Sequence, residues 1–171
     1  AISYALDHSE ARFAFVHDSQ RDLIATIAPK RLRVVDPDML VKRAELPDLE
    51  AVHHGLLMYT SGTTGQPKGV VHTHASLLAG GWTTAIAHDL AASDRGFCVL
   101  PIYHINGLCV TLMGALVSGG SLAMTSRFSA SRFWQQASDC DVTWFSVVPT
   151  IISHLLHSDT NPSPTVAARL R

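Results

Sequence analysis

The sequence predicts an α/β fold made of parallel sheets with helices packed along them. Residues 14–16 and 32–36 are short apolar strand candidates. A predicted helix with Ser19 as its cap, which runs through Ala28 and is stopped by Pro29, separates them. A strand–helix–strand order of this kind is typical of a parallel sheet. The chain has 171 residues, of which 47% are apolar and 16% charged, so it can bury a core.

The composition excludes several classes of protein. The formal net charge is −1 and no long basic run occurs, which disfavours a nucleic-acid partner. Residues 96–126 contain no Asp, Glu, Lys or Arg, but proline and glycines interrupt them, so we expect a buried core segment and no membrane span. The three cysteines, Cys98, Cys109 and Cys140, are far apart and form no CxxC pair, which favours a reducing, cytoplasmic location.

In the first half of the chain, we expect short helices and strands on both sides of a long surface connection. Residues 1–9 have the spacing of a helix, and the prolines and mixed charges of residues 36–54 indicate a surface connection. The apolar residues 55–59 form a strand candidate that leads into a glycine-rich segment. The remaining predictions are a strand at 69–72 and a helix that begins at Thr73 or His74 and ends near His88.

The second half continues the same alternation after a polar break at residues 91–94. The predicted strands are 97–100, 121–125 and 142–148, and the predicted helices are 107–117, 129–137 with Ser129 as its cap, and 149–156. Residues 158–164 are rich in Ser, Pro, Asn and Thr and are expected to form a loop. The break divides the chain into a first lobe segment, residues 1–92, and a second, residues 93–171.

The segment after the strand candidate at 55–59 reads YTSGTTGQPKG and occupies residues 59–69. Glycines allow close approach of the backbone, hydroxyl side chains donate hydrogen bonds, and consecutive backbone N–H groups can surround an anion. With the positive charge of Lys68, this turn after an apolar strand predicts a polyphosphate-binding loop, although the composition alone also fits a flexible surface loop. The P-loop pattern G-x-x-x-x-G-K-[ST] does not fit, because Lys68 follows Pro67 and precedes Gly69.

Several segments resemble the adenylate-forming enzymes, which include acyl-CoA synthetases, luciferases and the adenylation domains of peptide synthetases. YTSGTTGQPKGVVHTH, which begins at Tyr59, resembles the phosphate-loop signature of that family. LPIYHINGL, residues 100–108, resembles its next segment, in which an aromatic–histidine pair borders the acyl site. FSASRFWQQASDCDVTWFSVVPTI, residues 128–151, looks like the pocket-shaping region of the acid–CoA ligases, and the start, ISYALDHSEARFAFV, is also similar to the family.

This resemblance, which spans nearly the whole chain, implies a two-step reaction. The carboxylate of a small-molecule acid attacks the α-phosphorus of ATP, pyrophosphate leaves, and the acyl group of the acyl-adenylate then passes to a thiol, usually that of coenzyme A. Because polyphosphate and carboxylate repel each other, donors and cations must be in place before the reaction, and Mg²⁺ is expected beside the loop. The residues that match the loop gripping the β- and γ-phosphates are Thr60, Ser61, Gly62, Thr63, Thr64, Gly65 and Lys68.

Other residues match the acid-binding part of the family's site. His104 matches the histidine near the α-phosphate and the carboxylate, which makes it the candidate catalytic residue, whereas its position alone favours a core histidine. Residues 101–110 contain no Asp or Glu, while amino-acid-activating relatives place an aspartate there, so we expect a plain carboxylic acid as substrate. The candidates for substrate binding are His104, Asn106, Gly107, Val148, Pro149 and Thr150, of which the last three also fit a plain strand end before a helix.

Some parts of the family's site have no counterpart in this sequence. It has no YGxTE-like segment for adenine and Mg²⁺, no later aspartate for the ribose, and no small C-terminal domain with its catalytic lysine. Both ends look like cuts, so we expect a piece of the large N-terminal domain that needs the remainder of the same chain and is weakly active or inactive alone. His72 and His74 lack nearby cysteine or carboxylate partners, so no metal site is predicted. Two alternatives stay open: an adenylation module that loads a carrier protein, and a non-catalytic protein of the same fold.

Overall fold

The computed structural model describes residues 2–36, 45, 47–61 and 65–171 of the chain. These residues form an α/β structure that divides into two compact units, unit 1 from Ala1–His74 and unit 2 from Ala75–Arg171. The α/β class predicted from the sequence is therefore confirmed. The division of the family's domain into lobe segments 1–92 and 93–171 stays a prediction. Within the predicted surface connection at 36–54, residues 37–44 and 46 lie outside the described residues, and residues 47–53 are exposed and form no helix or strand, as predicted.

Unit 1 contains two pairs of strands. Strands β1 and β2 are parallel, with Ala14 opposite Val34, which is the pairing that the strand–helix–strand order predicts. Strands β3 and β4 are antiparallel and enclose the glycine-rich segment. The bounds are α1 (Ile2–His8), β1 (Phe13–Phe15), α2 (Arg21–Ile27), β2 (Arg33–Val35), β3 (His54–Thr60) and β4 (Lys68–Thr73).

The start of α2 differs from the prediction that Ser19 caps it. A turn of 3-10 helix, Asp18–Gln20, precedes α2, and His17 occupies the capping position of that turn. The Nδ1 atom of His17 accepts a hydrogen bond of 3.3 Å from the backbone N–H of Ser19. Ser19 is therefore inside the turn and supplies the donor. The helix ends as predicted, because the extended backbone of Ala28 leads into Pro29.

Unit 2 is built around a three-stranded parallel sheet with the strand order β6-β5-β7. Phe97 on the central strand β5 pairs with Ala123 of β6 and Phe145 of β7. Helices precede and follow each strand, as in an α/β lobe. The bounds are α3 (His74–Ala87), β5 (Arg95–Cys98), a π-helix (Asn106–Met113), α4 (Gly114–Ser118), β6 (Ser121–Met124), α5 (Ala130–Asp139), β7 (Trp144–Phe145), α6 (Pro149–Leu156) and α7 (Pro164–Arg169).

The core of unit 2 lies between its sheet and helices α5, α6 and α7. Phe97 and Phe133 are almost completely buried, and their ring centroids are 5.2 Å apart. Val142 and Val166 are buried in the same cluster, with Ile151 from α6. The charge-free segment 96–126, predicted to be a buried core segment, is buried only in part: residues 96–99 are buried, whereas residues 101–105 are exposed. None of the helices in the described part of the chain is long and apolar enough to cross a membrane.

A buried carboxylate ties together the amino-terminal ends of the three strands in unit 2. Asp94 precedes β5 and is only 4% exposed. Its carboxylate accepts hydrogen bonds from the Thr143 hydroxyl before β7 and from the Ala91 N–H, both at 2.8 Å. Arg171 completes the set with an ion pair of 3.2 Å, and the Asp94 carbonyl accepts from the N–H of Ser121, which begins β6. This network fixes where each strand starts.

Three elements of unit 2 differ from the sequence prediction. The predicted helix 107–117 consists of the π-helix followed by α4, and the predicted strand 142–148 is reduced to Trp144–Phe145. Helix α7 was missed, although Ser163 caps it through the Val166 N–H at 3.3 Å and a proline follows at the first helical position. Ser129 does occupy the position before α5, but its hydroxyl contacts that of Ser131 and makes no capping bond.

Candidate active site

The predicted phosphate-binding loop is the turn of the β3–β4 hairpin. Thr60 at the end of β3 pairs with Lys68 at the start of β4, so residues 61–67 form the connection. The Thr60 hydroxyl also donates to the Lys68 carbonyl over 3.5 Å. The structure therefore brings the two ends of the predicted loop together. Three of the predicted loop residues, Gly62, Thr63 and Thr64, lie outside the described residues.

The described loop residues present polar groups to solvent. Thr60, Ser61, Gly65 and Lys68 are all exposed. Gly65 has a φ of +85°, and no atom of the described residues lies within 4 Å of the position of a Cβ, so the backbone conformation favours a glycine there. No carboxylate of the described residues forms an ion pair with Lys68. The ammonium group is therefore available to an anionic ligand.

His104 lies in unit 2, in the segment between β5 and the π-helix. Its ring is exposed and makes a tilted contact with the ring of Tyr103, with centroids 4.7 Å apart. Its backbone N–H donates to the Pro101 carbonyl and its carbonyl accepts from the Leu108 N–H. Because the side chain is exposed, the alternative that His104 is a core histidine does not describe this structure. The imidazole can contact a ligand.

Asn106 connects two of the segments predicted to bind substrate. Its Oδ1 accepts a hydrogen bond of 3.0 Å from the hydroxyl of Ser146, which directly follows β7. The segment after Ser146 leads to Val148, Pro149 and Thr150, which are exposed at the start of α6. Ser146 was not predicted as a site residue, and no motif or spacing in the sequence points to it.

Gly107 has a packing role that the sequence did not reveal. It is buried, and a Cβ at this position would lie 2.5 Å from the carbonyl oxygen of Pro101 and 2.9 Å from that of Leu100. A side chain would therefore push the π-helix away from the segment that follows β5. Whether Gly107 also leaves room for an acyl group stays a prediction. The helix itself is notable because π-helical turns are frequent at functional sites.

A cavity of about 530 Å³ lies next to these residues in the chain. Residues 99–103 after β5, residues 124–128 at the end of β6, and Ile151 of α6 line it. Ligands of open α/β sheets bind at the carboxyl ends of the strands, which is where this cavity lies. Arg127 is the one cationic residue of the lining, and the lining includes no carboxylate. No motif in the sequence predicts this cavity, although it follows two predicted strand ends.

The cysteines and histidines of the described residues do not suggest other chemistry. Burial raises the pKa of the Cys98 and Cys109 thiols, so both favour the neutral, weakly nucleophilic form. Among the residues that the structure describes, no three His, Cys, Asp or Glu side chains come together as a metal site. Nδ1 of His53, another histidine of unit 1, accepts a hydrogen bond of 3.0 Å from the backbone N–H of Glu50.

The fold and these features define an α/β protein with a candidate anion-binding hairpin and a cavity at the carboxyl ends of a parallel sheet. The model of the AMP-binding enzyme family matches residues 1–171, and the chain belongs to this family. The membership inferred from the phosphate-loop resemblance is therefore confirmed.

Individual relatives are acid–CoA ligases. The chain is 41% identical to sulfoacetate–CoA ligase of Cupriavidus necator over 95% of this chain and 35% of that protein. It is 34% identical to oxalate–CoA ligase of Arabidopsis thaliana over 82% of this chain and 28% of that protein. It is 31% identical to 2-succinylbenzoate–CoA ligase of Bacillus licheniformis, over 90% and 32% respectively. The chain thus spans about a third of the length of these relatives.

Solved structures show the same fold. O-succinylbenzoate coenzyme A synthetase from Bacillus subtilis, in complex with AMP, superposes with a TM-score of 0.84 at 27% identity, over 99% of this chain and 35% of that one. ATP-bound MatB from Rhodopseudomonas palustris also gives a TM-score of 0.84, at 26% identity, over 99% of this chain and 36% of that one. The chain therefore corresponds to part of a larger folded protein in both comparisons.

Proposed function

We propose that the full-length protein is an acid–CoA ligase, which activates a carboxylic acid with ATP and transfers the acyl group to coenzyme A. The observation that carries this proposal is the hairpin in which Thr60 pairs with Lys68, with the described loop residues Ser61 and Gly65 exposed between them. The relatives named above are acid–CoA ligases, and one of the similar structures was solved with bound ATP. This chain, without the remainder of the full-length protein, is expected to be weakly active or inactive.

In the first step, the loop holds the β- and γ-phosphates of ATP. A carboxylate oxygen of the acid attacks the α-phosphorus, a new P–O bond forms, and pyrophosphate departs with the electrons of the broken bond. The reaction brings one anion against another, so preplaced donors and a cation lower its barrier. Lys68 supplies the cation, and Thr60, Ser61 and Gly65, with Gly62, Thr63 and Thr64, supply hydroxyl and backbone donors.

His104 steadies the incoming acid near the α-phosphate by donating a hydrogen bond to it. An exposed imidazole with no hydrogen bond to the side chains of the described residues can take this role without losing an existing contact. Asn106, Gly107, Val148, Pro149 and Thr150 border the acid. In the second step, the CoA sulfur attacks the acyl carbonyl carbon and AMP leaves, so a thioester replaces the mixed anhydride.

The proposed substrate is a carboxylic acid without an α-ammonium group, because residues 101–110 contain no acidic side chain to pair with one. Mg²⁺ is proposed to arrive with the phosphates of ATP, since it commonly binds substrate phosphates and keeps several waters. The described residues form no metal site of their own, so no step is assigned to it. The partners are the acid, ATP, CoA and the remainder of the same chain. The free cysteines support a cytoplasmic location.

ATP–pyrophosphate exchange in the full-length protein tests this proposal. The panel contains sulfoacetate, oxalate, 2-succinylbenzoate, a short aliphatic acid, an aromatic acid and an amino acid. We expect exchange that depends on one of the non-amino acids, followed by acyl-CoA formation when CoA is added. Exchange without acyl transfer to CoA, but with transfer to a carrier protein, would identify a carrier-loading module. A folded protein that shows no exchange with any acid would overturn the ligase and leave a non-catalytic member of the family.

A further inference from the structure

Three aromatic side chains of unit 1, Tyr4, His8 and Tyr59, form a cluster that we call the aromatic clamp. His8 is the last residue of α1, and its Nδ1 lies 2.8 Å from the hydroxyl oxygen of Tyr59 in β3. The two rings meet edge-on, with centroids 5.8 Å apart and planes at 79°. One helical turn earlier, Tyr4 stacks on His8 at 5.2 Å and 25°. The clamp therefore joins α1 to β3 by a hydrogen bond and by ring packing.

The clamp lies against the base of the phosphate-binding loop. Tyr59 pairs with Gly69, and the next pair, Thr60 with Lys68, closes the hairpin. A Cβ at Gly69 would lie 2.9 Å from Cδ1 of Leu57, 3.6 Å from Cε1 of Tyr59 and 3.8 Å from Cε1 of His8, so both rings pack beside Leu57 on this face of the hairpin. Neighbouring residues of a strand point to opposite faces. The side chains of Thr60 and Lys68 therefore project from the other face of the hairpin.

Packing on the Tyr59–Gly69 pair should hold the phosphate-binding loop in position. Strands β3 and β4 pair only with each other among the described residues, and an isolated pair of strands is marginally stable unless something packs on it. Donors for a developing charge must be held in position, and an error of about 1 Å in a positioning element can slow a reaction about 10²-fold. The clamp packs on this isolated pair of strands at Tyr59 and Gly69, the residue pair next to the loop.

We propose that His8 is a positioning residue for the phosphate-binding loop and that it acts through the hydroxyl of Tyr59. This inference rests on the proposed function, because it gives His8 a task only if the loop grips ATP. The hydrogen bond fixes the orientation of Tyr59. Tyr59 in turn supports the Thr60–Lys68 pair from the face of the hairpin opposite to their side chains. Losing the bond therefore weakens ATP binding and leaves binding of the acid and of CoA unchanged.

The test compares His8→Phe, Tyr59→Phe and the double variant of the full-length protein. Each replacement keeps an aromatic ring and removes one partner of the hydrogen bond. Tyr4→Phe is the matched control, because it removes a clamp hydroxyl that has no hydrogen-bond partner among the described residues. We expect each single variant to raise the KM for ATP about three- to tenfold in pyrophosphate exchange, with the KM for the acid unchanged. Because both single variants break the same hydrogen bond, the KM for ATP of the double variant should be no higher than that of the more impaired single variant.

The outcomes separate this inference from the function on which it rests. A wild-type protein that shows no acid-dependent exchange overturns both. An active wild type whose His8→Phe and Tyr59→Phe variants keep the wild-type KM for ATP overturns the positioning role alone. Equal increases in the KM values for ATP and acid also overturn it, because they indicate a general loss of structure. His8→Gln, which can restore a hydrogen bond to Tyr59, should recover part of the ATP affinity.

Discussion

The hydroxyl of Ser146 donates a hydrogen bond of 3.0 Å to Oδ1 of Asn106, across 40 residues of sequence. It joins the start of the π-helix to the chain that leaves β7 and leads to α6. This side-chain hydrogen bond therefore connects two of the segments proposed to border the acid.

Replacing Ser146 should affect the acid more than the nucleotide. In Ser146→Ala, Oδ1 of the half-buried Asn106 loses its donor, which costs about 1 kcal/mol and releases the segment before Val148. We expect kcat/KM for the acid to fall about fivefold, with the KM for ATP unchanged. Ser146→Thr keeps the hydroxyl and should retain more activity. Ser153→Ala, on the exposed side of α6, is the control. An unchanged kcat/KM in Ser146→Ala would show that the contact does not shape the acid site.

Lys68 is expected to dominate the electrostatics of the loop. Lys68→Ala removes the cation at the loop's end and should slow adenylate formation by about 10²-fold or more, the scale of other electrostatic stabilisers. Lys68→Arg keeps the charge and should be impaired less. Lys30→Ala, which removes another exposed lysine of unit 1, is the control. Single-turnover measurement of pyrophosphate release checks the result, and a wild-type rate in Lys68→Ala would contradict the assignment of the loop.

Gly65 allows the conformational role of glycine to be tested without a steric clash. Its φ is +85° and no atom of the described residues lies within 4 Å of the position of a Cβ, so Gly65→Ala introduces backbone strain. The strain is about 1–2 kcal/mol, which predicts an increase of about 5- to 30-fold in the KM for ATP. Gly65→Asn should be milder, because asparagine adopts this conformation more readily. Equal effects of Ala and Asn would mean that the loop reshapes around any side chain.

Asp94 should be the most sensitive polar residue of unit 2 to substitution. Asp94→Ala leaves the Thr143 hydroxyl, the Ala91 N–H and the Arg171 guanidinium without their shared acceptor. Removing one partner from a buried ion pair costs about 3–5 kcal/mol, and the exposure of Arg171 lowers the expected value to about 2–3 kcal/mol. Urea denaturation measures this loss in the free energy of unfolding. Asp139→Ala, at an exposed carboxylate of the same unit, should change stability by less than about 0.5 kcal/mol.

The buried thiols predict a loss of stability at alkaline pH. Because burial raises the pKa of Cys98 and Cys109, the folded state keeps protons that the unfolded thiols release near their ordinary pKa of about 8.5. The unfolded state then binds fewer protons, so the free energy of unfolding falls as pH rises above that value. Wild type should lose more stability between about pH 7.5 and 9.5 than Cys98→Ala, as measured by urea midpoints. Cys140→Ala, at a partly exposed position, should follow the wild type.

Local signals predicted most of the fold. The strand–helix–strand order gave the parallel pairing of β1 with β2, and the apolar run after the loop gave β4. The errors lie where two local signals compete. His17 took the capping position that the sequence favoured for Ser19, and the Ser163–Pro164 start of α7 was obscured by its polar surroundings. The eight residues Asn106–Met113 make only about two helical turns, too few for the apolar spacing to distinguish a π-helix from an α-helix, so the type of helix was not predictable.

The candidate site was predictable in its motifs but not in its supporting contacts. A long signature that begins at Tyr59 predicted membership of the family, which the family match confirms, while the roles of the loop residues stay predictions. The partners of those motif residues come from distant parts of the sequence: Ser146 is 40 residues from Asn106, and His8 is 51 residues from Tyr59. Such pairs depend on how elements pack, and one sequence carries no pattern that records them.

The cavity of unit 2 also has an evolutionary consequence. Val99, Leu100, Phe128 and Ile151 line the cavity and also belong to the core cluster or pack against it, whereas residues 101–103 and 124–127 line the cavity without being part of that cluster. Substitutions in residues 101–103 and 124–127 can therefore accumulate with little effect on the packed core. A lineage that keeps this architecture can therefore change the shape and charge of the cavity through a few substitutions, while the packed core is inherited unchanged.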